Sequence, residues 1–180
     1  MSDIVIWPSK VLSEVSKPVD HLSKFQIEPI TIEEIAKAMF TVMRAHKGVG
    51  LSAIQIGVPL RLFVMDCSGI SQLEKNEDNI QPAEMVCINP EIIQLIGKPI
   101  EMTEGCLSFP GVFEKVMRHP EVIFKCEDLT GEVKTWQLAG IDAQCVVHEV
   151  EHLNGITMAK NWGLAKRDLV KRKIKKALAG

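Results

Sequence analysis

The run His148-Glu149-Val150-Glu151-His152 limits what this chain can fold into more than any other stretch. Residues four apart lie one turn apart on the same face of an α-helix. Two imidazoles so placed can share one divalent ion, with Glu149 beside them as a base for water. The flanks predict that helix. Asp142 follows the Gly140 turn as an N-cap, residues 143–153 contain no Gly or Pro, and Gly155 is a natural stop. Val146, Val147 and Val150 mark the helix as largely buried. Histidines and glutamates on a buried helix are costly without partners, and a metal would satisfy both histidines.

A hydrolytic site of this kind takes three protein ligands and leaves one position for water. No His, Cys or Glu follows His152, and Asp168 lies in a strongly basic stretch that suits ion pairing. The third ligand is therefore expected upstream. Cys145 is the nearest candidate, but along the helix axis it lies roughly 10 Å from His152, too far for bonds of about 2.0–2.3 Å to one ion. Cys106 fits better. It follows Gly105, which lets the backbone approach closely, and precedes the Pro110-Gly111 turn. Cys67, Cys87 and Cys126 sit in or beside strand-like runs and read as core filler.

The 180 residues suffice for one domain with a real core, taken as 1–180. No apolar run is long enough to span a bilayer, and the N-terminus reads as neither a signal nor a transit peptide. The net charge of −2 gives no support for DNA binding. Five scattered cysteines without a C-x-x-C pair point to a reducing compartment, read as the cytoplasm.

Thr31 and Glu34 form a capping box before an amphipathic helix that ends near Gly48. Residues 60–65 read as a buried strand and 68–84 as a polar loop. Residues 85–88 and 92–96 read as short strands around an Asn89-Pro90 turn, and 122–126 with 133–138 as a hairpin. A last helix is expected at about 168–178. The pattern predicts an α+β fold, with antiparallel β-sheets packed around the central histidine helix and further helices towards the N- and C-termini. Glu104 and Arg118 are candidates for a buried pair bracing the Cys106 strand; the alternative is an Arg118 on the surface.

Three segments stand in order: Gly48-Val49-Gly50-Leu51-Ser52-Ala53-Ile54-Gln55, Glu104-Gly105-Cys106-Leu107-Ser108, and His148-Glu149-Val150-Glu151-His152-Leu153 with Gly155 two places on. Together they resemble the three motifs of the peptide deformylases, and the likeness extends from Pro18-Val19 to the C-terminal helix. The resemblance implies Cys106, His148 and His152 as metal ligands and Glu149 as general base and later proton donor. It implies Gln55 and the Leu107 backbone N–H as oxyanion donors. Val49, Gly50, Glu104 and Gly105 would border the peptide cleft, and Cys145 would help line the methionine pocket. The implied cofactor is one divalent ion, Fe(II) in the cell, with Zn(II), Ni(II) or Co(II) in purified protein. The implied substrates are N-formyl-methionyl nascent peptides, and the implied chain is a monomer. Ser52, Val147 and Glu151 stand where the family commonly has Ala, Gln and Asp.

Two rival readings remain at this point: a metallopeptidase built on H-E-x-x-H, and a degenerate member that binds formylated peptides without turnover. The basic C-terminal helix, 166–180, also has two readings. Its Val170, Ile174 and Leu178 form a stripe that packs under a solvated charged face, or the basic face contacts the ribosome.

Overall fold

The computed structural model describes residues 4–20, 26–27, 30–68 and 84–179. Its strands are β1 (Gln26–Ile27), β2 (Ile30–Thr31), β3 (Gly50–Ser52), β4 (Leu62–Met65), β5 (Met85–Ile96), β6 (Ile100–Gly105), β7 (Phe113–Arg118), β8 (Glu121–Glu127) and β9 (Val133–Ala139). Its helices are α1 (Ile32–Ala45), α2 (Gly140–Leu153) and α3 (Leu164–Ala179). A five-stranded antiparallel sheet runs in the order β3-β4-β5-β8-β9, beside two-stranded sheets β1-β2 and β6-β7. The expected α+β class with antiparallel sheets is what the chain adopts.

The large sheet is covered on both faces. Side chains of a strand alternate between faces, so in β4 Leu62 and Val64 join α1, while Phe63 and Met65 join α2. On the first side lie Ile32, Ala36, Met39 and Met43 of α1. On the second lie Ala143, Val146, Val150 and Leu153 of α2, spaced to form one apolar stripe. Each buried Val, Leu, Ile or Met among them stabilises the fold by about 1.5–3 kcal/mol. Because α2 spends that stripe on the sheet, its histidines lie off the stripe, free to face other segments. Cys67, Cys87, Cys126 and Cys145 fill the same core as free thiols.

α3 secures the remaining segments. Val170 and Ile174 pack with Trp7, Leu12, Phe109 and Val112. Trp7, Phe109 and Trp162 form a ring cluster with centroids 5.5, 5.7 and 5.9 Å apart. This cluster anchors the turn after Cys106. Leu178, expected in the same stripe, is exposed instead.

Several local expectations hold. Glu34 N–H donates to Thr31 Oγ1, and Thr31 N–H donates back to Glu34 Oε2, which completes the predicted capping box of α1. The 121–139 hairpin and the strand ending at Met65 are present. Two expectations are corrected. α2 starts two residues before Asp142, with Ala139 as N-cap; Asp142 lies buried in the first turn. Asn89-Pro90 is no turn but a bulge within the continuous β5, where the register against β8 slips. Asn89 adopts φ +49°, and its side-chain amide pairs with Val19 N–H and C=O at 2.8 and 3.0 Å. The docked side chain compensates the ladder interruption, so the strand resumes. The β6-β7 hairpin was not foreseen, although the residues of β7 alternate between exposed and half-buried. Most of the expected polar loop at 68–84 lies outside the described residues.

Gly155 ends α2 with φ +69°, and a Cβ there would lie 2.6 Å from the Ser13 carbonyl oxygen. We expect Gly155→Ala to lower the unfolding free energy by at least about 1–2 kcal/mol, measured by urea denaturation.

Candidate metal centre

β3 passes directly over α2. A Cβ at Gly50 would meet both Cys145 Sγ and Glu149 Oε1 at 2.6 Å, so the close crossing requires glycine. Immediately after β3 the chain makes a 3-10 turn over Ala53–Ile56. Its buried Gln55 is fixed at both ends. Ser52 N–H donates to Gln55 Oε1 at 2.9 Å. Gln55 Nε2–H donates to Ser108 Oγ at 3.1 Å and reaches Cys106 Sγ at 3.5 Å. The amide N–H is thereby turned towards the sulfur. The Ser108 hydroxyl is fully buried beside Cys106, a placement that no local signal in the sequence announces.

Cys106 lies just after β6, and His148 and His152 lie one turn apart on α2. One ligand atom from each of the three falls within 4.8 Å of the others. Cys106 Sγ and His152 Nε2 are 3.2 Å apart, and the two imidazole rings have centroids 4.9 Å apart. Sulfur and imidazole suit Fe(II) or Zn(II) rather than Mg(II) or Ca(II). His152 Nδ1 is buried and has no hydrogen-bond partner among the described residues. Burial and the neighbouring His148 hold the pKa of His152 well below its usual value, which keeps the ring neutral as a ligand requires. By these observations the residues fit a single soft-to-borderline divalent ion. Cys145 stands outside the group. The Cys67 thiol beside it, and burial, raise its pKa well above the usual value, so it remains a thiol. Its Sγ–H donates to Val49 C=O at 3.7 Å.

A chain of ionic hydrogen bonds braces these side chains from behind. His148 Nδ1–H donates to Glu104 Oε2 at 2.9 Å, leaving Nε2 for an ion. Arg118 grips Glu104 with two bonds of 2.6 and 3.0 Å, and grips Glu151 with two more of 2.9 and 2.7 Å. The expected Glu104–Arg118 pair is thus present, and Glu151 is a second partner the sequence did not suggest. Counted with a Cys106 thiolate, the cluster carries a net negative charge that a divalent cation would offset.

All the predicted site residues except His152 border one cleft of about 610 Å³. Val49, Gly50 and Gln55 line one side, and Glu104, Gly105, Cys106 and Leu107 the other. Cys145, His148 and Glu149 form part of its lining from α2. His152 lies behind, facing a separate polar pocket. Burial pushes the Glu149 carboxyl above its usual value, against the opposing pull of His148 and Ser52. A base with a raised pKa is better matched to work near neutral pH. Val147 packs half-buried against the α2 core, and nothing in the structure explains its choice.

Burial would raise the Glu104 carboxyl, but hydrogen bonds from His148 and Arg118 outweigh it and bring it to about 2 from a usual 4.5. A depressed folded-state pKa contributes stability above 4.5 that is lost as pH falls towards 2. We expect Glu104→Gln to flatten the acid limb of stability against pH in the metal-free protein. The same change should weaken Zn(II) or Fe(II) binding by about 10–100-fold in competition titrations.

The family model for polypeptide deformylase matches residues 1–168. The peptide deformylase of Bartonella tribocorum is 37% identical, covering 98% of this chain and 92% of that protein. That of Bradyrhizobium diazoefficiens is also 37% identical, covering 98% and 96%. The crystal structure of peptide deformylase from Ehrlichia chaffeensis superposes with a TM-score of 0.81 at 32% identity, over 96% of this chain and 94% of that one. Nearly the whole chain is matched by sequence and fold together, and the chain belongs to the polypeptide deformylase family.

Proposed function

We propose that this protein hydrolyses the formyl group from the N-formyl-methionyl end of new polypeptides, releasing formate. The observation that carries the reading is the grouping of the Cys106, His148 and His152 donors beside a cleft that Cys106, His148, Glu149 and the oriented amide of Gln55 all line. Neither the metallopeptidase nor the non-catalytic alternative finds support, since the matched relatives are peptide deformylases and the base and donors are intact.

A bound divalent ion would supply Lewis acidity, activating water and polarising the formyl carbonyl. The protein's own groups do the rest. Glu149 takes the water's proton and delivers it to the leaving amine. The Gln55 Nε2–H and the Leu107 backbone N–H stabilise the oxygen that gains charge as the formyl carbon becomes tetrahedral; one such donor contributes about 10²–10³ in rate. Val49, Gly50, Glu104 and Gly105 flank the peptide, and Cys145 helps bound the methionine side chain. A thiolate and two imidazoles suit Fe(II) as the ion in the cell, with Zn(II), Ni(II) or Co(II) able to replace it. Thiolate ligation also makes the site sensitive to oxidation.

We place the protein in the cytoplasm, as one catalytic domain over 1–180 acting as a monomer on nascent chains. No helix among the described residues is long and apolar enough to cross a membrane. The basic face of α3 suits a contact with the ribosome. Val170 and Ile174 are buried, while Lys171, Lys173, Lys175 and Lys176 are exposed, so the charge is available without disturbing the packing.

Anaerobic assay of the Fe(II)-loaded protein should release formate from formyl-Met peptides and leave unformylated peptides intact. Glu149→Gln should reduce the rate by at least about 10²-fold; equal rates would contradict the assignment. Lys173→Glu with Lys176→Glu should weaken salt-sensitive ribosome binding in co-sedimentation without changing formate release.

A further inference from the structure

We infer that Ser52 is a positioning residue for Glu149: its hydroxyl holds Oε2, which leaves Oε1 as the oxygen that faces the cleft and carries the proton. The inference rests on the proposed role of Glu149 as the base. Ser52 is fully buried and Glu149 is 4% exposed. The Ser52 Oγ–H donates to Glu149 Oε2. Among the described residues no other side chain donates to that carboxylate. Oε1 lies on the opposite side, where a Cβ on Gly50 would touch it at 2.6 Å, and Gly50 lines the cleft.

A carboxylate has two equivalent oxygens and rotates easily about its last bond. A single buried donor on one side breaks that equivalence and aims the other oxygen. The hydroxyl has one proton to give; of the two acceptors in its reach, the Glu149 carbonyl oxygen at 3.2 Å and the charged Oε2, the carboxylate is the stronger, so Oε2 is committed and Oε1 is not. Ser52 orients a second group as well, because its backbone N–H holds Gln55 Oε1 and so fixes which end of that amide faces Cys106. One residue thus aligns the base through its side chain and the oxyanion donor through its main chain. Only the first of these is lost when the side chain changes.

The test compares Ser52→Thr with Ser52→Val in the Fe(II)-loaded protein. The two side chains have the same shape, and only Thr keeps the hydroxyl, so any strain from the added methyl is shared. Metal content and melting temperature are measured alongside. We expect kcat for Ser52→Val about tenfold below that for Ser52→Thr, with KM alike. In a Glu149→Asp background the shortened carboxylate no longer reaches the hydroxyl, and the Thr and Val variants should turn over equally. Equal kcat for Thr and Val with Glu149 intact would overturn the inference. So would a Thr-to-Val ratio that persists in the Glu149→Asp background, because the hydroxyl would then act on something other than the Glu149 carboxylate. A wild-type protein that releases no formate would instead overturn the deformylase reading itself, so the two failures are distinguishable.

Discussion

The site depends on one buried carboxylate. Glu104 stands between Arg118 and His148, accepting two bonds from the guanidinium and one from the imidazole. A buried carboxylate without such partners would be strongly unfavourable. With them, it fixes the tautomer of His148 and ties the β6-β7 hairpin to α2. Arg118 extends the tie to Glu151, one residue before His152. Cys106, the donor that comes from outside the helix, is two residues beyond Glu104. The carboxylate that orients His148 therefore also sets the position of Cys106.

A second constraint is the close crossing of β3 over α2. The missing side chain at Gly50 lets the strand approach until it touches Glu149 and Cys145. That proximity brings Ser52 within reach of the base and Gln55 within reach of the Cys106 sulfur. The apolar stripe of α2 anchors the other side of the helix to the sheet, so the polar groups are held by a packed element and not by a loop. Rigid support of this kind is what a site needs if its donors are to be aimed before substrate arrives.

The legibility of this chain in its sequence is uneven for physical reasons. α1 and α2 carry strong helical periodicity and end signals, and both were readable to within a few residues. The grouping of Cys106 with His148 and His152 was legible because helix rise set Cys145 too far from His152 and no His, Cys or Glu follows His152. Asn89-Pro90 misled because it has turn chemistry locally, whereas a contact with Val19, seventy residues away, decides its conformation. Asp142 misled because β9 runs straight into the helix and Ala139 already takes the capping position. The partners of Ser52, Ser108 and Glu151 were invisible, since each depends on a side chain from a distant segment. Charge and spacing could suggest Glu104 with Arg118; nothing local could suggest that Arg118 holds two carboxylates at once.

The central claim is that Cys106, His148 and His152 converge on one ion. X-ray absorption at the iron edge of the anaerobically loaded protein measures this most directly. The account predicts one sulfur scatterer at about 2.3 Å and two imidazole nitrogens at about 2.0–2.1 Å, with the sulfur lost in Cys106→Ser. A spectrum without sulfur, or one unchanged by that substitution, would contradict it.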